Sequence, residues 1–382
     1  MPGDPKNNDA RTVLIIVTAL VAAGIVTIYS AGAVVSERSP RFDDRFLFLR
    51  RQCLWACAGM LAMVVASSIP YRFWGRARHF LLAGSFLLLI AVYVPGVGLQ
   101  LNGENRWIRM GSYQMQPSEF CRLTLAMVVC AAVARGVGEW RRFWPWAAVI
   151  LAAAGLVLFE RDVGSALVLA TLLGALLFAG GARLRHLAFA GGTAIAGVAA
   201  AVWFFFPGVL RRFGPSYQVE QSVLAVGSGG LFGDGLGAGR AKLFYLPEAQ
   251  SDFIFAVWAE ELGFLGAAGM ILLYLALVGV GWRIAKRCSD PFGRTLTFAI
   301  VASILLGATI NIGVAIGALP AKGIPLPFVS YGGSSLLVSM AAAGILMNIA
   351  GETDETSDQR RRDRRPSDAG DRAGAGVAAA RP

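Results

Sequence analysis

The chain has 382 residues, 56% of them hydrophobic and only 15% charged, with a mean hydropathy of +0.59. Soluble domains carry about 25% charged residues, so this composition excludes a water-soluble globular protein, and with it the disordered, collagen-like and disulfide-rich secreted classes. The net charge of +11 then belongs to a membrane protein, where it reports topology rather than nucleic-acid binding.

A membrane-crossing helix needs about 20 mostly apolar residues. Ten stretches qualify: 12–34, 49–69, 79–98, 117–135, 143–159, 163–181, 186–206, 253–281, 293–318 and 327–349. The first is too long for the apolar core of a signal peptide and has no small-residue cleavage site after it, so it reads as a retained anchor. The expected fold is all-α, a polytopic membrane protein of ten transmembrane helices (residues 12–350). A short N-terminus (1–11) precedes it, and a disordered cytoplasmic tail (351–382) follows. With both ends on one face, 21 of the 35 Lys and Arg fall on that face, which makes it cytoplasmic. The other face carries one long connection, the glycine-rich loop 207–252 between the seventh and eighth spans. Its glycine-rich stretch, 227–239, suits close backbone approach to a sugar or pyrophosphate, a lid, or simple turns.

Cys53, Cys57, Cys121 and Cys130 lie in apolar runs, and the only histidines, His79 and His186, are far from them in sequence. No Cys/His metal centre is expected.

Charged groups at membrane depth are costly and mark cavities, partners or pathways. Four clusters gather on the outer side. Asn102-Gly103-Glu104-Asn105-Arg106-Trp107 precedes Gln116-Pro117-Ser118-Glu119, where Pro117 suits a first helical turn and Glu119 shares a face with Arg122. Glu160-Arg161-Asp162 reads as a solvated turn with Asp162 as a cap. Leu246 to Asp252 runs into the eighth span, with Ser251 or Asp252 as its cap. Glu260 and Glu261 lie about 12 Å further along that helix, deep enough to call for an arginine partner or a tie between helices. Leu319 to Ser335 holds three prolines, Lys322 and a Gly-Gly-Ser-Ser run expected to break or kink the last span.

Three strings within these clusters, NGENRWIRMGSYQMQPSEF, YQVEQSVLAVGSGGLFGDGLGAGRAKLFYLPEAQSDFIFAVWAEELGFLG and LPAKGIPLPFVSYGGSSLL, resemble the SEDS family of shape, elongation, division and sporulation proteins. The division-type members are closer than the elongation-type ones. The likeness covers about Arg51 to Asn348 and includes the ten-span layout. It implies a peptidoglycan glycosyltransferase that polymerises lipid II into β-1,4 glycan strands at the outer face of the bacterial cytoplasmic membrane. Its partners would be a class B penicillin-binding protein and other division proteins. A lipid II flippase and an elongation-type polymerase are the competing readings.

By the same resemblance Asp252 is the catalytic acid, and Arg106, Lys322, Glu119, Arg51, Glu248 and Gln221 are substrate-binding positions. A sugar hydroxyl is a weak nucleophile, so a carboxylate base is needed for attack on C1 of the donor, and Asp252 stands where one is wanted. The departing pyrophosphate needs fixed cations, for which Arg106, Lys322 and Arg51 are the candidates. No cofactor is required by a motif, although a divalent cation (Mg or Mn) at the pyrophosphate is compatible with the charge. The chain departs from the family pattern at Gln250, where histidine is usual, and at Gln114, where a base is common. Arg109 is a candidate to replace the charge missing at Gln114. Arg161 takes the place of a common proline.

Overall fold

The computed structural model describes residues 8–38, 46–101, 104–111, 113–205, 216–240, 242, 246–320 and 323–363. Among them are eleven helices: α1 Asn8–Arg38, α2 Leu47–Ser68, α3 Tyr71–Ala91, α4 Pro117–Val133, α5 Trp140–Phe159, α6 Val163–Ala179, α7 Leu184–Phe205, α8 Tyr217–Ser228, α9 Ile254–Arg287, α10 Pro291–Ala315 and α11 Gly333–Asp363. All but α8 stand on the ten expected spans, and the chain is a multi-pass, mostly helical membrane protein. Six helices (α1, α2, α5, α9, α10 and α11) are long and apolar enough to cross a bilayer by length and composition alone. Of the others, α4 and α6 are 17 residues long, and α3 carries Arg72, Arg76, Arg78 and His79 in its first half.

The boundaries differ from expectation in instructive places. α3 begins at Tyr71 rather than near residue 79 and stops at Ala91. The Gly332-Gly333-Ser334-Ser335 run starts α11 instead of breaking it. A Cβ on Gly333 would strike the Trp55 ring, so the missing side chain lets α11 begin against α2. The same pair of helices stays close further down, where Gly59 lies on Met340 and Gly344 on the Met63 carbonyl. Small residues at such contacts are the usual means of bringing membrane helices together, because lipid supplies no hydrophobic drive between them. α11 also continues through Asp363, so residues 352–363, expected in a disordered tail, extend the helix.

The chain's two described ends lie at one end of the bundle. There Asp9 on α1 pairs with Arg283 (3.0 Å) and Arg287 (2.8 Å) on α9, and Glu352 on α11 pairs with Arg72 (2.6 Å) on α3. The opposite, distal end carries everything that was singled out as chemically interesting.

Between α3 and α4 the all-α expectation is modified by a three-stranded antiparallel sheet, ordered β1 (Gly98–Leu101), β2 (Glu104–Met110), β3 (Tyr113–Met115). β1 pairs with β2 from Gly98↔Ile108 to Leu101↔Glu104, with a register shift between Leu99 and Gln100. β3 pairs with β2 through Ile108↔Met115, Arg109↔Gln114 and Met110↔Tyr113. The Asn102-Gly103 dipeptide between the first two strands is the strongest short-range hairpin signal a sequence carries, and it was the overlooked clue.

The second departure lies inside α9. Gly263 (φ 66, ψ −165) leaves the helical region, so the helix is interrupted one residue after Leu262. The two i→i−4 bonds lost there are replaced by the glycine-rich loop. Asp234 and Gly235 donate their N–H groups to the Glu260 and Glu261 carbonyls (both 3.0 Å). Phe264 and Leu265 donate theirs to the carbonyls of Gly230 (2.9 Å) and Leu231 (3.2 Å). All four backbone groups freed by the break are thus satisfied. Away from water each would otherwise cost several kcal/mol. Residues 230–235 of the glycine-rich stretch are committed through their backbone to this splice.

Gly263 has no substitute. Its ψ at positive φ belongs to a glycine-only region, costing other residues about 1–3 kcal/mol, and a Cβ would also press on Gly233 N and, at 2.7 Å, on Leu231 O. Gly263→Ala is expected to lower the unfolding temperature of the detergent-solubilised protein markedly. Gly269→Ala, six residues on in open space, should leave it unchanged or higher. Equal melting curves for the two variants would show that the splice does not matter to stability.

Candidate active site at the distal mouth

Four segments converge at the distal end around a cavity of about 370 Å³. The start of α2 contributes Arg51 and Trp55, the sheet contributes Arg106, Trp107, Tyr113 and Gln114, the turn before α9 contributes Glu248, Ser251 and Asp252, and the segment entering α11 contributes Gly323, Tyr331 and Ser334. Asp252, Arg106, Arg51 and Glu248 of the sequence-derived residues therefore face one space. Lys322 lies outside the described residues, although its neighbour Gly323 lines the wall. Glu119 is buried on α4 and pairs with Arg122 (2.5 Å), and Gln221 lies on α8; neither is among the residues that line the cavity.

Asp252 is held through its backbone. Its N–H donates to the Glu248 carbonyl (3.0 Å), and its own carbonyl accepts from Asn311 Nδ2 (2.8 Å). Ser330 Oγ donates to the Ser251 carbonyl (2.6 Å), and the Tyr331 N–H donates to the Gln250 carbonyl (2.9 Å). The α9 N-cap is Phe253, without a side-chain cap, so neither Ser251 nor Asp252 performs the expected capping duty. The Asp252 carboxylate faces the cavity, with the Ser251 hydroxyl beside it. Gly323 abuts it so closely that a Cβ there would lie 2.8 Å from Asp252 Oδ2. Burial, with Glu248 beside it, pushes the carboxyl up to about 6, against the opposing pull of Arg106.

The other wall is built on Asp162. It caps α6 as expected, accepting from Ser165 N (2.9 Å) and Ser165 Oγ (2.7 Å). Its Oδ2 also accepts from Gln116 Nε2 (3.2 Å) and lies 3.5 Å from Arg106 Nη1. The turn is solvated only at Arg161, which is exposed, while its two acids are not, contrary to expectation: Asp162 is 4% exposed and Glu160 0%. Glu160 has no hydrogen-bond partner for either oxygen among the described residues, and burial together with the Asp162 charge raises its carboxyl to about 9. Arg106 pulls the other way but does not offset this, so the surroundings favour the neutral acid, the form of a carboxyl that burial penalises least. Arg161 takes a positive φ of 65 at the tip of this turn. Gln116 further ties α4 to α11, its N–H donating to Ser334 Oγ (2.9 Å).

A second polar group sits below the cavity. Glu261 accepts from Lys242 (2.6 Å) and from Ser30 Oγ (2.5 Å), tying the outer loop, α1 and α9 together; Glu260 accepts from the Arg240 N–H (2.7 Å). A tie between helices was expected here, but the cation is a lysine from the loop. Among the described residues no group of three or more His, Cys, Asp or Glu is placed to hold a metal ion.

The family model for FtsW, RodA and SpoVE, described as Cell cycle protein, matches residues 10–355. The chain belongs to this family, the SEDS proteins. Proteins named Probable peptidoglycan glycosyltransferase FtsW from Geobacter sp. (strain M18) and Trichlorobacter lovleyi are 37% and 39% identical over 353 and 351 residues, each covering 88% of this chain and 95% and 92% of the relative. Stage V sporulation protein E of Bacillus subtilis is 37% identical over 361 residues, covering 90% and 98%. Among solved structures, RodA of Thermus thermophilus superposes with a TM-score of 0.67 at 28% identity, covering 89% of this chain and 96% of that one. A chain described in terms of structural coordination of polymerization and crosslinking by a peptidoglycan synthase complex reaches 0.72 at 27% identity, covering 89% and 97%.

In this SEDS chain the residue two before Asp252 is Gln250, buried, whose Nε2 donates to Glu248 (3.4 Å). It has no titrating ring, unlike the histidine usual at this position. Gln114 lines the cavity, and Arg109 is its cross-strand partner but is not among the lining residues. Asn311 was missed by sequence reasoning. This fully buried amide in an apolar helix donates both to the Asp252 carbonyl and to the Ile324 carbonyl (2.8 Å each). A lone asparagine within such a span was the available signal.

Proposed function

We propose that this protein is a peptidoglycan glycosyltransferase that polymerises lipid II into β-1,4 glycan strands, acting in septal synthesis as an FtsW-type enzyme. The observation that carries the reading is the convergence of Asp252, Glu248, Arg106 and Arg51 on one cavity at the end of the bundle opposite the chain termini. The excess of Lys and Arg on the terminal side supports a reading with both ends cytoplasmic and the cavity at the outer face of the bacterial cytoplasmic membrane. A polyprenyl tail then stays in the bilayer while its head group enters the cavity.

In the proposed reaction Asp252 takes the proton from the 4-hydroxyl of the acceptor sugar as that oxygen attacks C1 of the lipid-linked donor. The C1–O bond to the undecaprenyl pyrophosphate breaks as the new bond forms, inverting the anomeric centre. Arg106, Arg51 and Lys322 neutralise the leaving group; an arginine fork matches phosphate oxygens in pairs. Asp162 holds Arg106 from behind. Glu119, braced by Arg122, and Gln221 complete the proposed substrate-binding set from outside the cavity lining. A divalent cation, if one takes part, would depend largely on the substrate's own phosphate oxygens, because Asp162 is engaged by Arg106, Gln116 and Ser165.

A class B penicillin-binding protein is the proposed partner, and the likeness to a chain of a peptidoglycan synthase complex supports it. The test is incubation of purified protein with lipid II, with and without such a partner, followed by separation of glycan strands. Polymer in either case supports the proposal. Lipid transfer across liposomes with no polymer would replace it with a flippase. Rescue of elongation but not septation in depleted cells would move it to the RodA type.

A further inference from the structure

We propose that a basic cleft at the terminal end of the bundle binds the phosphate of an anionic phospholipid headgroup. The cleft lies between the end of α4 and the start of α5, with a volume of about 470 Å³. Arg135, Arg141 and Arg142 line it together with Pro145 and Trp146. Gly136 (φ 88) turns the chain just after α4, bringing Arg142 back over Arg135, whose carbonyl accepts from Arg142 Nη1 (3.5 Å).

The charge in this cleft is poorly compensated. Arg135 and Arg141 have no carboxylate within ion-pair distance among the described residues. Arg142 reaches Glu139 only at 3.7 Å, with both side chains more than half exposed, an arrangement that contributes little. Arg78 on α3 adds a fourth guanidinium within electrostatic reach of Arg135, and its Nε is buried without a partner. Like charges gathered around one space repel unless an anion enters, and paired guanidinium forks are the preferred receptors for phosphate.

The surroundings indicate a lipid rather than a soluble anion. Trp140 stacks on Trp144 (5.3 Å) and meets Phe189 (5.5 Å) and His186 (5.0 Å) edge-on at the same end of α5. Such an aromatic layer sits at headgroup depth. Trp146 and Pro145 give the cleft an apolar wall for glycerol and acyl carbons beside its cationic floor, as in basic pockets that hold lipid headgroups at membrane surfaces. The site is distinct from the distal cavity, because the 17 residues of α4 separate the two by about 25 Å.

The test uses full-length protein in phosphatidylcholine nanodiscs, with and without an equal share of phosphatidylglycerol. The parent protein is expected to melt several degrees higher with the anionic lipid and to retain it in native mass spectrometry. R135Q/R141Q, two exposed positions that do not threaten folding, should bind it about thirtyfold more weakly and lose the thermal response. R135K/R141K should recover part of the response, keeping charge without the fork. Equal responses from parent and R135Q/R141Q overturn the proposal. So does equal stabilisation by inorganic phosphate in neutral detergent, which would assign the cleft to a soluble anion.

Discussion

Asp252→Asn is expected to abolish glycan polymerisation from lipid II while leaving the protein at least as heat-stable as its parent. A positioned general base contributes roughly 10²–10⁴-fold, so residual turnover should fall below about 1%. The stability half of the prediction follows from the carboxyl's raised value of about 6. A carboxyl whose folded value stands above its ordinary 3.8 stabilises the fold when protonated, and that contribution is lost as the pH rises through about 6. At neutral pH the ionised group is therefore a burden on the fold, and a neutral amide removes it. Activity runs the opposite way, since a base must be ionised to accept a proton. The parent's rate should climb from pH 5 to pH 7 with a midpoint near 6, and Asp252→Glu should keep some activity. Full polymerisation by Asp252→Asn at normal abundance would remove Asp252 from the base role.

Asn311→Leu should give the second large effect, through geometry rather than chemistry. The amide bridges the carbonyls of Asp252 and Ile324, and so couples the carboxylate's turn to the segment that begins at Gly323 and borders Lys322. Leucine keeps the branched shape in a larger side chain but has no donor, leaving two buried acceptors without their bond at about 1–3 kcal/mol each. Relief of that penalty by a small shift of either turn would misplace the carboxylate, and misplacement of about 1 Å costs on the order of 10²-fold. The expected readout is a fall in kcat with KM little changed, and a shift of the acid limb away from pH 6. Asn311→Asp, which keeps the shape but loses the donors when ionised, should resemble the leucine variant. If either variant turns over lipid II at the parental rate with an unchanged pH profile, the amide is only a packing residue.

Sequence alone made the long helices readable because each is a run of apolar residues that nothing but lipid or protein can cover. Charges beside such runs marked Arg106 and Asp252 as residues in need of a reason, but it was the resemblance to the SEDS strings that joined them with Arg51 into one group. The hairpin that carries Arg106 was not read, since β1 and β3 are only four and three residues long and alternation over so few positions is weak. The break at Gly263 was hidden for a different reason. Glu-Glu-Leu-Gly-Phe-Leu-Gly passes for a continuous helix, and the residues that replace its hydrogen bonds lie about 30 positions upstream. Asp162 looked like an ordinary cap because capping explains it completely at the level of one turn. Only the fold brings Arg106 and Gln116 onto the same oxygen. Asn311 stood alone among apolar neighbours, and a single amide does not announce what it will bond.

The seam between residues 230–235 and the interrupted α9 also bears on biogenesis. The donor strand leaves the ribosome first, and the helix that needs it follows, so the nascent α9 has two ways to satisfy its backbone: an unbroken rod, or the stitched form once the preceding segment has docked. The unbroken rod would leave the N–H groups of Asp234 and Gly235 and the carbonyls of Gly230 and Leu231 without the partners they have in the stitched form. A spacer inserted at 236–237, beside that seam and before the Arg240 N–H that bonds Glu260, would loosen the tether between the docked segment and α9 and bias newly made chains toward that straight rod.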